Sequence, residues 1–183
     1  TVDIALAPAD GLTMAVDLTA RYRLHNDGKE PAAVTLQIPL PDATNLTLAA
    51  DDVPLTAEPQ ANGGLAAVVT VPVDAPVEVV FGYSTVIADS ALFEVRYPTS
   101  QLGQWPGNVS LRVDLRPAAS MPPASWLEVS PADWAYAPPG VSPDPAVEWL
   151  YDGDPPDAIR FRAVHPAAWQ QVHAALNRTA GGT

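Results

Sequence analysis

Between Leu12 and Leu24 every even-numbered position is apolar: Leu12, Met14, Val16, Leu18, Ala20, Tyr22 and Leu24. The odd positions between them are mostly polar, among them Thr13, Asp17, Thr19, Arg21 and Arg23. A period of two puts these sets on opposite faces of an extended strand, whereas a helix would need a repeat near 3.6. After Asn26-Asp27-Gly28-Lys29-Glu30-Pro31 the alternation resumes with Val34, Leu36, Ile38 and Leu40. Two amphipathic runs joined by turn-forming residues predict a β-hairpin over residues 12–41. The first run would span more than ~40 Å at about 3.3 Å per residue, so a bulge or bend is expected near Ala15–Asp17. Its two halves would then serve different sheets.

The pattern recurs along the chain. Short strands are predicted at Val2–Leu6, Asn45–Leu48, Val77–Tyr83, Phe93–Tyr97, Val109–Leu115 and Trp126–Ser130. Leu65–Val73 is continuously apolar, as in a strand covered on both faces. Val147, Trp149 and Tyr151, then Ile159 and Phe161, form a second predicted hairpin around Asp152–Asp157. The 21 prolines fall mainly between these runs and rule out long helices there. One helix is expected from Pro166 to about Asn177, with Pro in its first turn and Gly181-Gly182 beyond its end.

Many short strands without intervening helices predict an all-β fold, an antiparallel, immunoglobulin-like β-sandwich of about 8–11 strands with a short C-terminal helix. A closed barrel is the competing architecture. The expected organisation is one sandwich domain over 1–165, containing a Pro-rich irregular excursion at 117–145, followed by helix and linker over 166–183.

A formal net charge of −12 would repel a phosphate backbone and disfavours nucleic acid and anionic membranes as partners. No run reaches the roughly 18 apolar residues of a membrane helix, so direct membrane insertion by this stretch is not expected. The chain has no cysteine, and its core must hold it without disulfides. Its Arg-, Ala- and Pro-rich composition points to a GC-rich bacterial genome. The start at Thr1, without methionine or signal peptide, suggests an excised domain whose targeting and anchoring segments lie outside it.

Chemistry-bearing motifs are few. Gly82-Tyr83-Ser84-Thr85 lacks the second glycine of a nucleophile elbow, so Ser84 reads as a strand residue. No phosphate loop, dinucleotide fingerprint or HExxH occurs, and no catalytic residue is assigned. His165 and His173 read as capping or solvent-facing groups. In the turn Asp152-Gly-Asp154-Pro-Pro-Asp157, the three carboxylates Asp152, Asp154 and Asp157 are the candidate ligands for a metal, and Ca²⁺ is the cation oxygen donors of this kind would take. The bland alternative is a turn built from ordinary turn residues. Trp126, Trp134 and Tyr136 are the candidate stacking platform for a sugar ring, against the alternative that these rings pin loops. Trp149 and Tyr151 share the register of Val147 and are expected to face the core.

The segment Tyr22-x-Leu24-x-Asn26, followed by Val34-x-Leu36-x-Ile38-Pro39-Leu40-Pro41, resembles a recurring motif of β-sandwich modules in bacterial exported proteins. It is also similar to the start of the VIT-type domain, named for vault proteins and inter-alpha-trypsin inhibitor. The resemblance implies an extracytoplasmic, non-catalytic domain and transfers no functional residue. The expected role is therefore a structural spacer or protein-interaction module of a bacterial envelope or secreted protein. Its partners would be another protein or neighbouring domains of the same chain. The alternative is a carbohydrate-binding module that takes polysaccharide on the exposed aromatics.

Overall fold

The computed structural model describes residues 1–38, 43–61, 64–100, 102, 107–132, 135–136 and 147–180. Among them the regular structure is β, apart from 3-10 geometry at Leu102 and at Pro123–Ser125 and the helix α1, Pro166–Ala180. The all-β expectation holds, and the strands form several sheets. The residues gather into two compact units, each assembled from separated stretches. The first holds Thr1–Asp3 and Asp17–Thr85, and the second Ile4–Val16 and Val86–Thr183.

In the first unit the strands are β2 (Met14–Leu24), β3 (Ala32–Ile38), β4 (Thr44–Ala50), β5 (Val53–Pro54), β6 (Glu58–Pro59), β7 (Leu65–Val71) and β8 (Val77–Ile87). They form two ladders, β2–β8–β4–β5 and β3–β7–β6. Even positions of β2 are inward as the sequence predicts: Leu18, Ala20 and Leu24 are buried, while Arg21 and Arg23 are exposed. Strand β2 runs unbroken for 11 residues, and the boundary between the units falls inside it, at Val16/Asp17.

The predicted hairpin over 12–41 is corrected. Strand β2 neighbours β8, and β3 pairs with β7 in the other ladder, so Asn26–Pro31 carries the chain from one ladder to the next. Alternation cannot separate these outcomes, because both strands point their apolar faces inward in either arrangement. The Asn26 amide holds the crossing. It donates to the carbonyls of Glu30 and Val71 (2.9 and 3.0 Å) and accepts from the Gly28 N–H (2.9 Å). Strand β7 also departs from expectation, since Ala67, Val69 and Val71 are buried but Val68 is 61% exposed. It is covered on one face only.

Gly82 lies in β8 opposite Thr47, next to a register shift in β4 between Thr44 and Thr47. A Cβ there would meet the Thr47 hydroxyl at 3.1 Å and the Leu18 carbonyl oxygen at 3.2 Å. The glycine is needed for close backbone approach, not for a nucleophile turn.

The second unit holds most of β1 (Val2–Pro8) and β9 (Leu92–Pro98), β10 (Ser110–Arg116), β11 (Trp126–Ser130), β12 (Ala135–Tyr136), β13 (Val147–Asp152), β14 (Ala158–Val164) and α1. Its ladders are β12–β13–β10–β1 and β11–β14–β9. The second predicted hairpin is corrected in the same way: β13 pairs with β10 and β14 with β9, so residues 153–157 again cross between ladders. Trp149 and Phe161, each with 0% exposure, anchor this interior, and the Trp149 indole donates to the Pro131 carbonyl at 3.2 Å.

Replacing Asn26 by Ala removes three hydrogen bonds at the first crossing and should destabilise the protein by about 2 kcal/mol. Asn26→Asp should cost about as much, because it loses both donor bonds and sets a carboxylate against two carbonyl oxygens. Denaturant unfolding of the two variants checks this. A wild-type midpoint in Asn26→Asp would assign the holding role to the accepting oxygen alone.

Candidate functional site

The candidate residues that the structure describes lie on different strands and turns. Trp126 is half-buried, with its ring edge-on to Phe161 (centroids 5.4 Å apart, planes at 75°), so the indole packs inward against the second unit's core. Tyr136 lies on β12 opposite Val147, in the other ladder of that unit. Trp134 lies outside the described residues. The ordered aromatic row is in the first unit, where Tyr22 stacks on Phe81 at 5.9 Å and Phe81 on Tyr83 at 6.4 Å. Its sequence signal was parity: Tyr22 shares the inward register of β2, and Phe81 and Tyr83 that of Val77 and Val79.

Asp152, Asp154 and Asp157 are all exposed. The Asp152 carboxylate accepts from the Ser110 hydroxyl at 3.0 Å, and the Asp157 main-chain carbonyl accepts from the amides of Thr99 and Ser100 (3.0 and 3.1 Å). Among the described residues no group of three or more His, Cys, Asp or Glu is placed to hold a metal ion, so the turn does not gather its carboxylates. The Asp152 side chain and the Asp157 main chain instead make local turn contacts.

The buried polar side chains among the described residues are Thr99, Asp114, Ser125 and His165. The Thr99 hydroxyl donates to the Pro156 carbonyl, and the Ser125 hydroxyl to that of Pro122 at 2.7 Å. Asp114 is held by the Arg112 guanidinium at 3.0 Å, which also reaches Glu148 at 3.0 Å. His165 is the N-cap of α1. Its carbonyl accepts from the Trp169 N–H (2.9 Å) and its Nδ1 from the Ala167 N–H (3.2 Å). Because Nδ1 accepts, Nε2 carries the proton and donates to the Thr13 carbonyl at 3.1 Å. His173 is exposed, eight residues on, so the two imidazoles take separate capping and solvent-facing places. Ser84 donates to Asp17 at 2.6 Å on an exposed strand surface.

What sequence reasoning missed is an edge. Strands β1 and β2 neighbour each other, so among the described residues six strands are left with an unpaired side: β12, β5, β11, β9, β3 and β6. Strands β5, β6 and β12 are two residues each, too short to template another strand. Strand β9 carries Glu94 and Arg96, and β11 is interrupted by a register shift between Trp126 and Glu128. Strand β3 has no such protection. Its seven residues, Ala-Ala-Val-Thr-Leu-Gln-Ile, are uncharged and pair in unbroken register with β7 on one side. Among the described residues no strand pairs with its other side.

No protein-family model matches the chain, and no curated protein matches it. Among solved structures the fold is similar to that of a Legionella pneumophila protein provisionally described as a nutrient binding protein. The identity is 13% and the TM-score 0.64, over 96% of this chain and 70% of that one. At that identity the likeness is one of fold.

Two outcomes follow from these contacts. His165→Leu removes one of the two donors to the half-buried Thr13 carbonyl, which still accepts from the Ala9 N–H at 2.8 Å, and leaves the Ala167 amide without its side-chain acceptor. It should cost about 2 kcal/mol, read by denaturant unfolding followed at a helical band. Burial raises the Tyr83 phenol above its ordinary value of 10.0, because the phenolate would lose hydration. The folded state therefore keeps this proton longer than the unfolded chain. The stabilisation is complete below about pH 10 and is lost as pH rises through the folded-state value. Tyr83→Phe should move the alkaline unfolding midpoint upward, and an unchanged midpoint would assign alkaline unfolding to other groups.

Proposed function

We propose that this chain is a non-catalytic, extracytoplasmic β-sandwich module that holds a protein partner by accepting an extended segment along β3. The carrying observation is that edge. Along its seven residues every second one presents its main-chain N–H and C=O to the unpaired side, with no charge or bulge to keep another strand away. Affinity would come from main-chain hydrogen bonds, and selectivity from side chains flanking Ala33, Thr35 and Gln37, which are exposed.

Two further observations support the reading. All four buried polar side chains among the described residues make bonds that hold loops, strands or the helix, leaving none spare for proton transfer. The fold likeness to a bacterial protein described in terms of binding favours capture over turnover. The paired ladders in each unit are the basis for the sandwich.

The test is selection from a phage-displayed library of random linear peptides, with the intact chain as bait. Peptides of alternating β-branched residues should be enriched, and their binding should slow hydrogen exchange within Ala32–Ile38. Thr35→Lys and Ala33→Lys place a charge on this edge at exposed positions and should weaken binding tenfold or more while leaving the unfolding midpoint unchanged. Equal binding to wild type and both variants, or selection of no peptide, would remove the reading.

A further inference from the structure

Two rows of side chains cross the outer face of the β11–β14–β9 ladder, two residues or about 7 Å apart along the strands. In the first row Arg162 stands between two carboxylates, Glu94 on β9 at 3.7 Å and Glu128 on β11 at 3.1 Å. In the second row Arg160 faces Arg96 on β9, with Ser130 opposite it on β11. Arg96 and Arg160 are both exposed. Neither makes an ion pair or hydrogen bond among the described residues. Like charges placed directly opposite on a sheet repel and destabilise the pairing. The chain has 21 acidic residues against nine basic ones, so this row does not lack a carboxylate for want of acids in the sequence.

We propose that Arg96, Arg160 and the Ser130 hydroxyl form a binding site for the carboxylate of a small ligand. Its oxygens occupy the place that Glu94 and Glu128 take around Arg162. Two planar guanidinium forks match the paired oxygens of a carboxylate, and the hydroxyl supplies a further donor. The ligand is small because the field of a chain at −12 opposes the approach of a polyanionic partner. A ligand with one or two carboxylates meets less of that repulsion, and salt screens most of it beyond about 10 Å. The site belongs to the second unit and β3 to the first, so this inference does not depend on strand capture and can fail separately.

The experiment is a titration of the isotope-labelled chain with succinate at constant ionic strength, chloride being the anion replaced. It follows the Nε–Hε resonances of the arginines and the amide of Ser130. Saturable shifts are expected at Arg96, Arg160 and Ser130, with a dissociation constant on the order of 1 mM, while Arg162 stays still because its carboxylates are already present. Arg160→Gln should weaken the response at least tenfold. Arg96→Glu should abolish it and raise the thermal midpoint by about 1–3 °C, since it converts a repelling pair into an attracting one. The proposal is overturned if the shifts do not saturate or persist unchanged in Arg160→Gln. It is equally overturned if sulfate binds as tightly, or if the same shifts appear on raising protein concentration alone, which would assign the carboxylate to a second copy.

Discussion

A strand that is dry on one face only is unstable until another layer covers that face, and this requirement governs the chain. Buried and exposed side chains alternate along β2, β7, β9 and β14, and each unit carries two ladders whose apolar faces must be removed from water. No disulfide is available to substitute for that burial. Crossings between ladders then become the weak points, because a loop leaves backbone donors and acceptors that no ladder satisfies. The polar side chains gather there. Asn26 secures the passage from β2 to β3, and Thr99 ties the end of β9 to the turn before β14. His165 joins the end of β14 to α1 and to the Thr13 carbonyl.

Strand positions were legible in the sequence because burial is a property of single residues with a fixed period. The parity that placed Leu18, Ala20, Leu36 and Ile38 inside is the parity observed. The helix start at Pro166 was legible for a local reason, the restricted φ of proline at a first helical turn. Pairing was not legible. Seven residues between β2 and β3, and five between β13 and β14, suffice for a hairpin or for a passage to a facing ladder, and the same faces are buried either way. The two units were hidden for a related reason: each is built from separated stretches and β2 belongs to both, so no boundary coincides with a change in composition.

The candidate sites show the same division. Residue types at Trp126 or in Asp152–Asp157 suggest stacking or ligation, yet whether a ring or carboxylate is free depends on tertiary neighbours such as Phe161 and Ser110. The Arg96–Arg160 opposition is a property of register, since Glu-Val-Arg and Arg-Phe-Arg read separately are ordinary amphipathic strands. An open edge is likewise a property of topology. Nothing in Ala-Ala-Val-Thr-Leu-Gln-Ile shows which side will be paired.

An uncharged edge such as β3 raises the question of what keeps copies of the chain from pairing with one another, since such edges are templates for self-association. The side chains of the strand itself offer no defence, but the charge of the whole chain does. Two copies at −12 repel before their edges meet, and that repulsion scales with the product of their charges. A neutral or basic extended segment meets none of it. If β3 captures a partner strand as proposed, the acidic surface and the bare edge act together: the edge would supply indiscriminate main-chain affinity, and the charge would select against the chain's own copies. Salt then acts with opposite signs on the two processes, favouring self-association by screening and weakening capture of a basic segment for the same reason.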